Sequence, residues 1–166
     1  MRLFLKNQSG NAVSYVVPAN GAYLLLDLAN TTYWGESTAG PHPDITLVNA
    51  TNDHILLTAG GVYHIVVSIE FFPASNQNRD MWLVVSTDAN STGQLGTDRL
   101  QSLSTSAVGN VQMKHQAVFE IATTASGGVD TEVYFSLRSN GNDSNIIAFN
   151  DNRSSITITR IGDASL

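Results

Sequence analysis

Hydrophobic and polar residues alternate with a period of two along most of this chain, and no segment repeats its apolar residues at helical spacing. The clearest run is GVYHIVVSIEF (61–71). Tyr63, Ile65, Val67, Ile69 and Phe71 occupy one set of alternate positions; Val62, His64, Val66, Ser68 and Glu70 occupy the other. Successive side chains of a strand point to opposite faces. The pattern therefore predicts a strand with one wholly apolar face and one half-wet face, entered through Gly60-Gly61. VQMKHQAVFEI (111–121) alternates likewise, with Val111, Met113, His115, Ala117, Phe119 and Ile121 on one side and Gln112, Lys114, Gln116 and Glu120 on the other. TEVYFSLRS (131–139) places Val133, Phe135 and Leu137 inside. DITLV (44–48), DHILLT (53–58), DMWLVVSTD (80–88), IIAF (146–149) and SSITITRIG (154–162) are further strands, separated by turns rich in Gly, Asn and Asp. The polar stretch 89–110 reads as a long loop holding one short strand near 98–103.

The first 35 residues contain three more period-two runs, RLFLK (2–6), AVSYVV (12–17) and AYLLLDL (22–28), which read as a small β-meander. WGESTAGPHPD (34–44) follows, with two prolines, two glycines and no periodicity, so a boundary is expected there. The predicted organisation is an N-terminal β-arm over 1–35, a linker over 36–43 and a β-sandwich over 44–166. Many short strands with one long mid-chain loop favour an all-β jelly roll over an up-and-down barrel.

Composition narrows the function classes. Only 13% of residues are charged, against about 25% in ordinary domains; Ser, Thr and Asn cover the surface instead. The formal net charge is −6 and no run of Lys or Arg occurs, which argues against a nucleic-acid partner. There are no cysteines, so disulfides and thiolate metal sites are excluded. No stretch approaches about 18 continuous apolar residues, so no membrane span is expected. MRLFLKNQSG lacks an apolar run of signal-peptide length, and the expectation is a product made in a cytoplasm.

Few residues suggest chemistry. His42, His54, His64 and His115 show no metal-ligand spacing. Only a symmetry axis could gather three copies of His64 or His115 around a metal ion, and a hydrogen-bonded histidine is the simpler reading. Asp80, Asp88, Asp98, Asp130, Asp143 and Asp151 sit at strand ends or turns, where their carboxylates bond to nearby backbone N–H groups. NGNDSN (140–145) with NDN (150–152) lacks the register of a calcium loop. No nucleophile elbow or phosphate loop occurs. No enzyme activity, cofactor or metal is predicted. Trp82 is read as core, whereas Tyr33 and Trp34, beside the linker, are candidates for contact with a partner.

Residues 44–161 resemble the jelly-roll head domains of the C1q and tumour-necrosis-factor-like superfamily, a module also carried by phages and spore coats. The resemblance lies in AGGVYHIVVSIEF (59–71), with its Gly-x-Tyr strand entry, in MWLVVSTDAN (81–90), in GGVDTEVYFSLRS (127–139) and in SSITITRIG (154–162). The last is closest to microbial and viral members, and the chain has neither a collagen-like stem nor the aromatic-Gly-aromatic closing strand of animal C1q heads. The resemblance implies a homotrimer, in which Val62, His64 and Val66 would be covered by a neighbouring subunit. It further implies a tailed-phage virion protein: a capsid decoration (cement) or head-fibre protein on the virion surface. Its arm would dock on another virion protein, the major capsid protein being favoured, through Leu3, Phe4, Leu5, Tyr33 and Trp34. The alternative is a carbohydrate-binding tip of a tail fibre, with a surface glycan as partner. Its loop 89–110 would offer Asn90, Gln94, Asp98 and Gln101 but no aromatic residue.

Overall fold

A computed structural model describes residues 2–5, 13–17, 23–26, 28, 31–34, 44–48, 54–71, 79–102, 113–139, 145–149 and 155–164. The described residues form strands and turns and no helix. The strands are β1 (Arg2–Leu5), β2 (Val13–Val17), β3 (Tyr23–Leu25), β4 (Thr31–Trp34), β5 (Ile45–Leu47), β6 (His54–Leu57) and β7 (Gly61–Phe71). They continue with β8 (Arg79–Ser86), β9 (Gln94–Ser102), β10 (Met113–Ala122), β11 (Thr131–Ser139), β12 (Asn145–Phe149) and β13 (Ser155–Asp163).

Two antiparallel sheets face each other. One has the order β10-β7-β13-β1-β4; the other runs β5-β6-β11-β8-β9, with β3 also on β11. A separate ladder joins β12 to β2. The chain crosses between the sheets at β3 to β4, β4 to β5, β6 to β7, β7 to β8, β9 to β10 and β10 to β11, which is the winding of a jelly roll.

The predicted inward faces meet in one core. Tyr63, Ile65 and Val67 of β7, Ile156 and Ile158 of β13, and Ala117, Phe119 and Ile121 of β10 pack against Leu83 and Val85 of β8, Val133, Phe135 and Leu137 of β11, and Ile55 and Leu57 of β6. Full burial of one such side chain stabilises by about 1.5–3 kcal/mol, so the apolar half of each alternation decides which face turns inward. Phe119 helps close one side of the sandwich. Its ring lies over Gly96 of β9, where a Cβ would come within 2.5 Å of Cδ1.

The N-terminal segment departs from the expected arm. Its strands do not form a meander of their own. β1 lies between β13 and β4, with Leu3 opposite both Ile156 and Tyr33. β3 pairs with β11, Leu24 opposite Leu137, and Leu26 N–H donates to Phe135 O at 2.8 Å. Leu26 and Leu28 are buried in the core and Leu24 packs against it. The physical reason is edge satisfaction. Without β1, the outer side of β13 would present a row of unpaired N–H and C=O groups. The same inlay buries a leucine face that an arm would leave in water. The linker expected at 36–43 lies outside the described residues.

Three local expectations also change. β4 is an additional strand, because TTYW carries no alternation long enough to reveal one. β9 is longer than the short strand expected near 98–103 and pairs with β8 from Ser86–Gln94 to Arg79–Ser102. Trp82 is not core: Leu83 and Val85 take the inward positions, so Trp82 faces outward, half-buried, under the guanidinium of Arg138 at 5.3 Å.

Candidate functional site

The glycine entry to β7 sits in a dense polar knot at one end of the sandwich. Gly60 has φ +82°, a left-handed conformation, and a Cβ there would lie 2.9 Å from Ser126 Cα. At Gly61 a Cβ would lie 2.6 Å from Tyr63 Cε2, because residues two apart share a strand face and the Tyr63 ring folds back over the glycine. The Tyr63 hydroxyl is 3.0 Å from Thr58 O and 3.2 Å from Asp44 O, and donates its one hydrogen to these carbonyls. Burial pushes this phenol above its ordinary pKa of 10.0, with the nearby Arg160 charge opposing. Arg160 donates to Asp44 Oδ1 at 2.9 Å, to Asp163 Oδ1 at 2.8 Å and to Gly60 O at 3.2 Å. Thr123 Oγ1 accepts from Gly61 N–H at 2.9 Å, and Asp130 Oδ1 accepts from Ala59 N–H at 3.0 Å. These groups are committed to backbone atoms and to each other, so the cluster holds the turn closed.

The Asp88 turn is a second structural device. The carboxylate accepts from the N–H groups of Asn90 (2.8 Å), Thr92 (3.2 Å) and Gly93 (2.6 Å) and from Thr92 Oγ1 (2.9 Å). The bond from Gly93 is the main reason that its pKa falls below 3.8. Ser91, at φ 58°, reaches across the turn to Ser136, Oγ to Oγ 3.0 Å.

The outer face of β10-β7-β13 has a different character. The ladder registers arrange it in rows. Val62 stands between Ala122 and Gly162, His64 between Glu120 and Thr159, Val66 between Val118 and Thr157, and Ser68 between Gln116 and Ser155. Val62, His64 and Val66 are half-buried, while Val118 is 56% exposed. Ile161, at the register shift in β13 beside Gly162, is 54% exposed. Two largely apolar rows, Val62 with Ala122 and Gly162 and Val66 with Val118 and Thr157, therefore lie on either side of the polar row of His64, Glu120 and Thr159, and the polar row of Ser68, Gln116 and Ser155 follows beyond Val66.

The fold has a counterpart among solved structures. The chain superposes on the structure of Eiger TNF from S. frugiperda with a TM-score of 0.63 and 18% identity, covering 99% of this chain and 94% of that one. The fold is a tumour-necrosis-factor-like jelly roll. No protein-family model matches the sequence. No curated protein matches it either. The TNF-like likeness agrees with the resemblance read from the four sequence motifs at the level of fold.

Within this TNF-like sandwich, both groups of predicted contact residues fall in the same sheet. Val62, His64 and Val66 share one face of β7; Leu3, Phe4 and Leu5 lie on β1, and Tyr33 and Trp34 on the edge strand β4. The side chains of the β1 and β4 residues lie outside the description, as do those of His115, Asp80 and Asp98; His42, Asp143 and Asp151 lie outside the described residues altogether. His54 belongs to the other sheet, stacked on Tyr134 at 4.8 Å, and Tyr134 O–H donates to Glu132 Oε2 at 2.9 Å. Among the described residues no three ligand-type side chains converge as a metal site would require. Nor is any helix there long and apolar enough to cross a membrane. Val118 was missed as a contact candidate. Its signal was available, since it is the one large aliphatic residue on the polar side of 112–120.

Proposed function

We propose that this chain is a non-catalytic binding module that works as a homotrimer, its subunits meeting through the outer face of β10-β7-β13. One observation carries the reading: on the outside of the sheet Val66 stands directly opposite Val118, and Val62 opposite Ala122, on either side of the row of His64 and Glu120. An antiparallel sheet with one face in water normally alternates apolar inside with polar outside. Covering such rows would return about 25 cal/mol for each Å² of apolar surface. The TNF-like fold supports a trimeric arrangement. A binding role is further supported by the two polar clusters, whose side chains are engaged in holding turns.

The more specific role is a capsid decoration or head-fibre protein on the surface of a tailed phage. It is supported by the likeness of the closing strand SSITITRIG to viral members and by the charge-poor surface. Because β1 and β4 are laid into the sheet, docking would use the β4 edge with Tyr33 and Trp34 and not a free arm.

Light scattering on the full chain at about 1 µM tests the reading. The expected mass is three times 17.8 kDa, and Val118→Asp, at an exposed position, should yield a folded monomer. A monomeric wild type would refute self-association. A trimeric Val118→Asp would move the interface elsewhere.

A further inference from the structure

We infer that association through this face takes up a proton at His64, an inference that rests on the self-association proposed above. His64 occupies the middle of the polar row. On β10 its direct neighbour is Glu120, with Val118 and Ala122 on the diagonals. On β13 it faces Thr159, with Thr157 and Gly162 on the diagonals. On β7 itself Val62 and Val66 flank it. β12, which also packs near β7, reads NIIAF and carries no titratable group. Arg160 of β13 turns to Asp44, Asp163 and Gly60 O. Glu120 is therefore the charged group that faces His64.

In the free subunit water screens both groups, for His64 is half-buried and Glu120 exposed, and an exposed pair contributes little. A covering subunit removes that water. A carboxylate held under protein beside a neutral imidazole is costly, whereas an imidazolium answers its charge. Covering the face therefore favours the protonated histidine. A second copy is the fitting occupant. The chain carries a net charge of −6, so copies repel in most orientations. Among the described side chains of these rows the only carboxylate is Glu120, with a histidine opposite it. Each copy brings the same two groups, and in a head-to-tail contact the histidine of one can meet the carboxylate of the next.

The linkage has a defined sign. Histidine changes charge between about pH 5 and 8, and each proton taken up tightens association by about tenfold per pH unit within that range. The test is a dilution series of the full chain followed by light scattering at about pH 7.5 and about pH 5.5. The wild-type assembly should survive to at least about tenfold lower concentration at the lower pH. His64→Gln should remove most of that difference and leave only the part that the lower net charge at acid pH contributes. Glu120→Gln should reverse it, because an imidazolium would then be covered without a counter-charge. An assembly that dissociates at the same concentration at both pH values overturns the proton linkage and leaves the trimer standing. So does a His64→Gln variant that keeps the full acid tightening. A chain that is monomeric throughout overturns the self-association and the linkage together.

Discussion

Three glycines of this fold should respond to the same substitution in three different ways. At Gly61 an alanine Cβ would lie 2.6 Å from Tyr63 Cε2, 2.8 Å from Cζ and 2.9 Å from the hydroxyl oxygen. The ring cannot swing away, since it is fully buried and its hydroxyl is bonded to the Thr58 and Asp44 carbonyls. Overpacking of this kind costs about 1–3 kcal/mol, and Gly61→Ala belongs at the upper end because the ring is held at both ends. At Gly127 nothing lies within 4 Å, but φ is +83°; the cost there is that of a left-handed alanine, about 1–2 kcal/mol. At Gly162 nothing lies within 4 Å and the backbone is not left-handed. Gly162→Ala should be neutral, or stabilising by about 0.4–1 kcal/mol through the unfolded chain. Urea unfolding at one fixed protein concentration measures all three, since any assembly makes stability concentration-dependent. In a chain of this size each kcal/mol moves the melting temperature by about 2–4 °C. A double-mutant cycle with Tyr63→Leu isolates the contact: Gly61→Ala should lose most of its cost once the ring is gone. Equal losses at Gly61 and Gly162, or a Gly61→Ala cost undiminished in the Tyr63→Leu background, would refute the packing account of the Gly-x-Tyr entry.

Other outcomes follow from the same geometry. Tyr63→Phe removes a donor from two carbonyls and should cost about 1–2 kcal/mol in urea unfolding. Because burial raises the Tyr63 pKa, its contribution is complete below about pH 10 and fades as pH rises through the folded value; Tyr63→Phe should soften the alkaline loss of stability seen in thermal melts. Asp88 has the opposite sign. Its lowered pKa makes its contribution complete above about pH 4 and lost as pH falls through the folded value. Melts from about pH 7 down to about pH 3 should show a shallower acid limb in Asp88→Asn, and an unchanged limb would remove Asp88 from the account. Phe119→Ala, which empties the side of the sandwich over Gly96, should cost about 3–5 kcal/mol by the same unfolding assay.

Much of the candidate face was legible in the chain. The alternation through 61–71 separates Val62, His64 and Val66 from the core set, and the buried residues Tyr63, Ile65 and Val67 lie where that alternation places them. Val118 was legible as an apolar residue among Gln116, Glu120 and Lys114. That it stands opposite Val66, and Glu120 opposite His64, was not. Those pairs depend on the register between two strands about fifty residues apart, and a shift of one residue would have faced different partners.

The sequence alone determined that the chain is all-β, where most strands run and which side of each turns inward, because period two is a property of the local backbone and apolar burial selects the face. Tertiary structure decided that β1 and β4 join one sheet and β3 the other while β2 pairs with β12, that Trp82 faces away from the core beneath Arg138 and that Tyr63 closes over Gly61. Strand pairing satisfies edges wherever they are left open in space, and no local pattern records which distant edge that will be.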